Sequence, residues 1–288
     1  MPGVAVVTDS THYLPPEVVA ARELHVVSLY VKEGGEQRRE AELTDLGAFY
    51  ERLRTATDLP TTSQPSIGDF AAVYEPLVAA GRDVVSIHVA GGISGTVESA
   101  RQAAADVAAR SGRRIDVVDS QMGCGALGLV AWAAAVAAEE GADPDGVLAR
   151  ARQAIAATRL WFAVDTLEYL RRGGRIGAAQ AWLGGALNIK PILTLEGEIT
   201  PVERVRTSGR AFERLVDYMS SRRSDGADGW VVQHIRADDG AARLVERGRA
   251  LFGCEPLFVS EIGPVIGAHV GPGLIGVTGL PSRLLGTV

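Results

Sequence analysis

The chain has 288 residues, 47% of them hydrophobic and 22% charged, which is an ordinary globular composition. Its formal net charge of -6 argues against a nucleic-acid-binding surface, so no nucleic acid is expected as a partner. The most weakly polar stretch, residues 122–138, is too short and too rich in Ala and Gly to span a membrane. Because no signal-peptide pattern is present and the only cysteines are Cys124 and Cys254, we expect a cytoplasmic protein with two packed, reduced thiols.

The first half of the chain alternates strand and helix signals. Apolar runs predict strands at residues 4–7, 24–31, 84–89 and 115–118. Helices are predicted after Pro15-Pro16, after N-caps at Thr44 and Ser66, and over residues 96–109 and 125–140. Such alternation predicts a mostly parallel sheet with helices on both faces, which we assign to an N-terminal α/β domain over residues 1–159.

The second half mixes hairpins with helices. Helices are predicted over residues 144–157, 208–222 and 240–252, and strands over residues 160–164, 188–195, 199–206, 230–235, 257–261 and 275–278. Residues 196–198 form the turn of a predicted hairpin. The pattern predicts a C-terminal α+β domain over residues 160–288, and we expect a ligand between the two domains.

Three short loops rich in hydroxyl groups lie in the first third of the chain, at residues 8–11, 61–66 and 94–96. The first and third follow predicted strands, and the second and third precede predicted helices. Hydroxyl and backbone N–H groups at such places can cradle a small anionic group. No metal cluster stands near them in sequence, so we expect neither a metal nor a cofactor.

Two motifs suggest enzymes. Residues 123–128 fit the G-x-G-x-x-G pattern of NAD-binding enzymes, but four residues separate the glycines from the preceding strand. The acidic residue expected about 20 positions on should end the next strand, whereas Glu139 and Glu140 lie at the end of a predicted helix. Close packing of a helix on a sheet explains these glycines better. Residues 92–96 approach the G-x-S-x-G hydrolase elbow, although Thr96 replaces the last glycine. A serine esterase or thioesterase using Ser94 and His269 is therefore an alternative, and Ser94 as a cap of the helix from Thr96 is the other interpretation.

Two further segments could bind a ligand. Residues 171–175 form a compact basic turn, which is either a solvated helix end or an arginine fork for phosphate or a carboxylate-rich partner. Residues 263–273 contain four glycines and two prolines around His269, and they predict a fixed loop that approaches a ligand closely.

Taken together, these motifs resemble the DegV family of bacterial lipid-binding proteins, whose members include the fatty-acid-binding subunits of bacterial fatty acid kinase. The matching stretches follow the family order across essentially the whole chain. They lie at residues 8–11, 14–15, 62–66, 94–96, 99–100, 119–120, 172–176, 190–192 and 263–273.

The resemblance implies a long-chain fatty acid in a buried apolar tunnel. Its carboxylate would be held by Thr62 and Ser94, with His269 near the same head group. The supporting loop residues would be Ser63, Gly95 and Thr96.

The resemblance also implies a partner. A separate ATP-binding fatty acid kinase protein would phosphorylate the bound carboxylate to an acyl phosphate, and Arg172 and Arg175 would contact that kinase or the phosphate. The chain itself would then be a carrier subunit without catalytic residues of its own, and transient membrane contact is compatible with that role.

Overall fold

A computed structural model describes residues 3–183 and 189–286. The strands are β1 (Val4–Asp9), β2 (His25–Val27), β3 (Tyr30–Glu33), β4 (Glu36–Arg39), β5 (Thr61–Ser63), β6 (Asp83–His88), β7 (Ile115–Asp119), β8 (Arg159–Ala163), β9 (Lys190–Glu196), β10 (Glu198–Val205), β11 (Gly229–His234), β12 (Phe258–Glu261) and β13 (Ile275–Leu280). The α-helices are α1 (Pro16–Ala21), α2 (Leu46–Thr55), α3 (Ile67–Ala79), α4 (Thr96–Ser111), α5 (Cys124–Glu139), α6 (Pro144–Ala157), α7 (Glu168–Arg172), α8 (Ser208–Ser224), α9 (Asp238–Phe252) and α10 (Pro264–Val270). Short 3-10 helices connect several of them.

The first sheet is parallel throughout, in the order β2-β1-β6-β7. All six residues of β1 are buried, as expected for a parallel strand that is covered on both faces. One face packs against α3 and α4 through side chains such as Phe70 and Tyr74, and the other face packs against α5. The predicted α/β organisation of the first half is confirmed.

The second large sheet has six strands in the order β10-β9-β8-β13-β11-β12. Its strand pairs are antiparallel except β11 with β12. One face packs against α8 and α9, and the other turns towards α5. A third, small antiparallel sheet has the order β4-β3-β5 and places Thr62 opposite Val31. The predicted mixture of hairpins and helices in the second half is confirmed.

Helix α5 lies between the two large sheets and is buried on all sides. Every residue from Gly125 to Ala137 is buried. A helix that is apolar around its whole circumference can be stable only when it is enclosed, and its many small residues let both sheets approach. A side chain at Gly125 would collide with Gln233, and one at Gly128 would collide with Leu14 and a backbone carbonyl. Close packing therefore explains these glycines.

Local differences from the sequence predictions have identifiable causes. Residues 24–31 form two strands rather than one, because the chain leaves the first sheet after β2 and enters the small sheet with β3. The N-cap of α2 is Asp45 rather than Thr44, since the Asp45 carboxylate accepts the Ala48 N–H at 2.9 Å. Ser66 does cap α3, within a capping box completed by Asp69.

The glycine-rich tail contains a helix where we expected a fixed loop. Pro264 occupies the first turn of α10, and Gly271 ends it with a positive φ of 75°. The density of glycine in this segment comes from close contacts, since a side chain at Gly267 would collide with Tyr50. The strand predicted from residue 188 begins at Lys190 as β9, and residue 188 itself lies outside the described residues.

Both cysteines are free, as expected, but only one is packed. Cys254 is exposed, so the prediction of two packed thiols is wrong for this residue. The boundary between domains at residues 159 and 160 stays a prediction, because α5 contacts both sheets and the segment Ser282–Leu285 returns to pack on α5. Within residues 3–183 and 189–286, the helices fall short of the length and apolarity that crossing a membrane requires.

We expect Leu129→Ala to lower the free energy of unfolding by about 2–5 kcal/mol, because Leu129 is fully buried in α5 and its removal leaves a cavity between the two sheets. Urea unfolding followed by circular dichroism measures this change. Val259→Ala, at a side chain that is 42% exposed, is the control and should change the same quantity by about 0.5 kcal/mol or less. Equal losses in the two variants would contradict the central role of α5.

Candidate functional site

An apolar cavity lies between the second large sheet and the first turn of α5. Residues of both halves of the chain line it, and Gly123, Cys124 and Ala126 contribute the α5 side. Its polar lining residues include Thr11, Thr62, Ser63, Gln64, Ser94, Arg175, Gln233, His269 and Thr278. The structure therefore brings Thr62, Ser94 and His269 to one cavity from three distant parts of the sequence.

The floor of the cavity contains one row of side chains that crosses five neighbouring strands. We call these residues the floor row: Ile199, Leu195, Leu160, Thr278 and Val231. The strand registers pair them directly or by a step of two residues along the same ladder. The Thr278 hydroxyl donates to the Arg159 carbonyl at 2.8 Å, so its polar atom is satisfied within the sheet. Neighbouring strands are about 4.8 Å apart, which gives the floor row a length of about 19 Å.

Thr62 and His269 are joined by a hydrogen bond. The Thr62 Oγ1 and His269 Nε2 atoms are 2.6 Å apart, which links β5 to the last turn of α10. Burial, and secondarily the charge of Arg175, lowers the pKa of His269 to about 4, so the ring is neutral at pH 7. Its Nδ1 atom is buried without a hydrogen-bond partner. A neutral imidazole in this position offers hydrogen bonding without a fixed positive charge.

The Nδ1 side of the His269 ring packs against Gly173. A Cβ atom built at Gly173 would collide with His269 Nδ1, so the ring occupies the space that a side chain would take. The basic turn at residues 171–175 thereby sets one wall of the histidine site. This contact has a steric basis and no signal in the local sequence pattern.

Ser94 lies at the start of α4, where its hydroxyl is 2.8 Å from Thr96 Oγ1 and accepts the Thr96 N–H at 3.3 Å. The N-cap position itself is Gly95, so Ser94 satisfies a first-turn N–H group from one residue further out. Thr96 is fully buried and supports Ser94 rather than facing the cavity. A side chain at Gly95 would collide with the Gln64 amide, so the loops at 61–66 and 94–96 meet there.

The loop at residues 8–11 braces the site instead of completing an anion cradle. The buried Asp9 carboxylate accepts hydrogen bonds from the Thr11 N–H, the Thr11 hydroxyl and the Val89 N–H, at 3.1, 2.6 and 2.9 Å. Thr11 is the member of this loop that lines the cavity. The loops at residues 61–66 and 94–96 therefore supply most of the hydroxyl groups that line the cavity.

The geometry does not support the serine esterase alternative. His269 Nε2 contacts Thr62, whereas the Ser94 hydroxyl contacts Thr96. A Ser-His-Asp arrangement does occur elsewhere. Ser86 Oγ is 2.6 Å from His88 Nε2, and His88 Nδ1 is 3.1 Å from the Asp9 carboxylate. These three residues are fully buried and do not line the cavity, so a substrate cannot reach the serine.

The two arginines predicted to act together are separated. Arg175 lines the cavity and donates to the Ile93 carbonyl at 3.2 Å and to the Gly173 carbonyl at 2.8 Å. Arg172 is outside the lining and donates to the Thr57 carbonyl at 2.5 Å. Both side chains are exposed. Arg175 therefore meets the cavity, and Arg172 lies at the surface outside it.

Sequence reasoning missed Glu40, which lies in a charged stretch typical of a solvated surface. Glu40 is buried, and Oε1 accepts from the Tyr13 hydroxyl and the Val265 N–H, both at 2.8 Å. Its Oε2 accepts from the Ser10 hydroxyl at 2.5 Å. Burial raises the pKa of Glu40 to about 7. Through Val265 this carboxyl group holds the start of α10, the helix that carries His269.

Two α/β layers around a buried helix, with an apolar cavity whose lining includes neutral hydroxyl groups and an imidazole, define a cavity-containing two-sheet α/β protein. In the described part of the chain, no group of three or more His, Cys, Asp or Glu side chains could hold a metal ion. The model of the DegV family, described as "Uncharacterised protein, DegV family", matches residues 3–282. The chain therefore belongs to the DegV family.

Relatives of known sequence and structure agree with this assignment. The chain is 41% identical over 277 residues to a DegV domain-containing protein of Streptomyces coelicolor, covering 95% of this chain and 97% of that protein. A solved structure described as "Fatty Acid Binding of a DegV family Protein from Thermus thermophilus" is 35% identical to this chain. Its TM-score is 0.86, over 96% of this chain and 99% of that one. A crystal structure titled as DegV, a fatty acid binding protein from Bacillus subtilis, is also 35% identical, with a TM-score of 0.86 over 97% of this chain and 100% of that one.

We expect Gly173→Ala to displace the His269 ring, because the added methyl group would occupy the position of Nδ1 while the Gly173 backbone, at φ -76°, tolerates alanine. The His269 imidazole resonances in an NMR spectrum should shift and the Thr62 contact should weaken. Gly209→Ala is the control, since nothing lies within 4 Å of its added Cβ atom. Unchanged His269 resonances in Gly173→Ala would contradict this prediction, because they would show that the site holds the added methyl group without moving the ring.

Glu40 predicts a pH dependence of stability. Folded Glu40 keeps its proton up to about pH 7, whereas the usual pKa of a glutamate is 4.5. Between these two pH values the folded state therefore binds more protons than the unfolded state. The free energy of unfolding should therefore fall as the pH rises through this window, by roughly 3 kcal/mol at full ionisation. Glu40→Gln should remove this slope in urea unfolding from pH 4.5 to 8.

The histidines give the opposite trend and do not obscure the comparison. Burial lowers the pKa of both His12 and His269 to about 4, so their contribution to stability is complete above about pH 6.5 and is lost as the pH falls towards 4. Both histidines are present in wild type and in Glu40→Gln, and their effect cancels in the difference. Parallel pH profiles for the two proteins would rule out a raised pKa at Glu40.

Proposed function

We propose that this chain binds a long-chain fatty acid in its apolar cavity and presents the carboxylate to a separate ATP-dependent kinase, which forms an acyl phosphate. The observation that carries the proposal is the floor row, which runs under a cavity whose lining also holds Thr62, Ser94 and His269. The two structures at 35% identity that are titled as fatty-acid-binding proteins support it.

Burial of the acyl chain would supply most of the affinity. Each methylene group removed from water contributes about 0.8 kcal/mol, so a chain lying along the floor row gains on the order of 10 kcal/mol before the costs of association. The carboxylate need only be satisfied by hydrogen bonds, because an unpaired buried charge is expensive. Thr62 and Ser94 can donate those hydrogen bonds, and His269 would orient the Thr62 hydroxyl through the hydrogen bond between them.

The neutral character of these donors suits phosphoryl transfer. Because His269 is uncharged at pH 7, no imidazolium clamps the carboxylate, and one of its oxygens stays nucleophilic. That oxygen would form a bond to the γ-phosphorus of ATP as the bond to the β–γ bridging oxygen breaks, which releases ADP and leaves an acyl phosphate. Arg175, at the cavity, would contact the transferred phosphoryl group, and Arg172 would contact the kinase.

In this proposal the chain is a carrier that lacks catalytic residues of its own, and the kinase supplies the chemistry. It would work in the bacterial cytoplasm, where ATP is available, and would touch membranes only transiently to exchange its ligand. Ser63, Gly95 and Thr96 would support the head-group loops. No cofactor is required beyond the ATP that the kinase binds.

We expect protein expressed in bacteria to carry about one fatty acid per chain, detected by mass spectrometry of a denatured extract. Thr62→Ala and Ser94→Ala should each weaken binding of a fatty acid to the delipidated protein by about 10- to 100-fold, the loss of one hydrogen bond to a charged group. Acyl phosphate formation with a purified fatty acid kinase should fall in parallel.

Thr55→Ala is the matched control, because Thr55 is exposed and its hydroxyl bonds only to carbonyls of its own helix. Its affinity should equal that of wild type. Absence of lipid from the purified protein, with none taken up on incubation, would overturn the proposed ligand. Full turnover by both site variants would overturn the head-group assignment alone.

A further inference from the structure

Both ends of α10 are tied to the small sheet formed by β4, β3 and β5. At the last turn of the helix, His269 Nε2 lies 2.6 Å from the Thr62 hydroxyl on β5. At the first turn, the Val265 N–H donates to Glu40 Oε1 at 2.8 Å, and Glu40 directly follows β4. The Glu40 N–H in turn donates to the Leu29 carbonyl, just before β3, at 2.9 Å. Helix α10 is thus held on this sheet by a side-chain contact at each end.

The carboxyl group of Glu40 connects two walls of the cavity through its partners. The Tyr13 hydroxyl donates to Oε1 at 2.8 Å and accepts the Ile266 N–H at 3.3 Å. The Ser10 hydroxyl donates to Oε2 and accepts the Leu29 N–H at 3.1 Å. We call Glu40, Ser10 and Tyr13 the Glu40 cluster. The cavity-lining residues that bond to it are Leu29, Val265 and Ile266.

The chain just before α10 packs directly on this cluster. A side chain at Gly263 would collide with the Tyr13 ring and with Glu40 Oε1. The Tyr50 hydroxyl donates to the Ile262 and Gly263 carbonyls at 2.5 and 3.1 Å and fixes the same segment. A Glu40 carboxylate that gathers hydration water at this place would therefore have to displace the start of α10.

A surface groove along α1 and β2 reaches the Glu40 cluster from outside the cavity. Its lining includes Ser10, Tyr13 and Ala41, and none of its described lining residues also lines the cavity. Ser10 and Tyr13 are half-buried, so their hydroxyl groups give solvent a route to the Glu40 carboxyl group. Glu40 can therefore exchange its proton through the groove while the cavity is occupied.

We propose that Glu40 is a positioning residue for the head-group pair Thr62 and His269, and that its proton links fatty-acid affinity to pH. With the proton bound, the Glu40 cluster holds α10 on the small sheet and keeps His269 against Thr62. When the proton leaves, the carboxylate draws water from the groove, α10 shifts and the Thr62–His269 contact loosens. The new negative charge also disfavours a ligand carboxylate in the same low-dielectric region. The affinity part of this inference rests on the proposed function.

The groups around Glu40 determine which charges change near pH 7. The titratable groups of the neighbouring elements and of the groove are Asp9, His12, Tyr13, Glu23, His25, Tyr50, Arg82 and Cys124. Burial raises the pKa of the two tyrosines and the cysteine and lowers the pKa of the two histidines, so these five groups are neutral at pH 7. The hydrogen bonds that Asp9 accepts outweigh its burial and lower its pKa, so it stays ionised. Burial raises the pKa of Glu40 to about 7, within the range where the proposed link acts.

The first test follows the His269 imidazole by NMR in the full-length protein from about pH 6 to about pH 8.5. Because the pKa of His269 is about 4, its own titration lies outside this range. In wild type the ring resonances should nevertheless shift with a midpoint of about pH 7, the pKa of Glu40. In Glu40→Gln this shift should disappear, since the amide accepts from Tyr13 and Val265 and donates to Ser10 at every pH.

The second test measures the affinity of the delipidated protein for palmitate over the same pH series. Wild-type affinity should fall by about three- to tenfold from about pH 6 to about pH 8.5, whereas Glu40→Gln should keep the low-pH affinity of wild type throughout. A purely structural role of Glu40 would lower the affinity of this variant equally at every pH. Glu36→Gln is the matched control, because Glu36 is an exposed carboxyl group on β4, and its profile should equal that of wild type.

Tyr13→Phe tests the cluster without changing the carboxyl group. The Tyr13 hydroxyl donates to Glu40 and favours its ionised form, so its loss should move the midpoint of both profiles to higher pH. This variant keeps the inference testable if Glu40→Gln does not fold.

His269 resonances that stay constant across the series in wild type would overturn this inference and leave the proposed function intact. Equal pH slopes in wild type and Glu40→Gln, or an unmoved midpoint in Tyr13→Phe, would overturn it as well. If palmitate did not bind at any pH, the proposed function would fail, while the NMR titration would still decide whether Glu40 positions His269.

Discussion

The structure depends on the complete burial of α5. A helix of Ala, Gly, Leu, Val and one Trp with no polar face has no stable place at a surface, so both of its sides must be covered by sheets. The first sheet covers one side and the second sheet covers the other. The cavity adjoins the start of this helix, where Gly123 and Cys124 form part of its lining. The same constraint therefore joins the two halves of the chain and positions the cavity that both of them line.

The site is kept in place by two buried carboxyl groups that do not line the cavity. Asp9 ties the loop after β1 to the end of β6, and Glu40 ties the loop after β1 to the start of α10. Both carboxyl groups are buried and receive several hydrogen bonds, which offset the cost of removing them from water. The hydroxyl and imidazole groups that meet the cavity are neutral. Among the described lining residues, Arg175 is the one that carries a fixed positive charge.

Local sequence patterns correctly predicted much of the fold. Apolar runs correctly predicted β1, β6, β7 and β11 to within a few residues, and Ser66 was identified as the cap of α3 because a capping box depends only on four consecutive residues. The prediction of one strand over residues 24–31 was wrong because the change from one sheet to another depends on strands that are distant in sequence. The sequence analysis did not predict helix α10. Gly267 and Gly271 are required there because a side chain would collide with Tyr50 or Tyr169, and neither tyrosine is near in sequence.

The sequence by itself determined the order of the elements, the enclosed character of α5 and the hydroxyl loops at the ends of strands, since these follow from periodicity and from residues close together in the chain. Only the tertiary structure decided which side chains share the cavity. It placed Arg175 at the site and Arg172 outside it, and it buried Glu40 in a segment that looks solvated. The floor row is likewise a tertiary property, because its register is set by backbone hydrogen bonds between strands as far apart in sequence as β8 and β13, and no local pattern encodes such pairing.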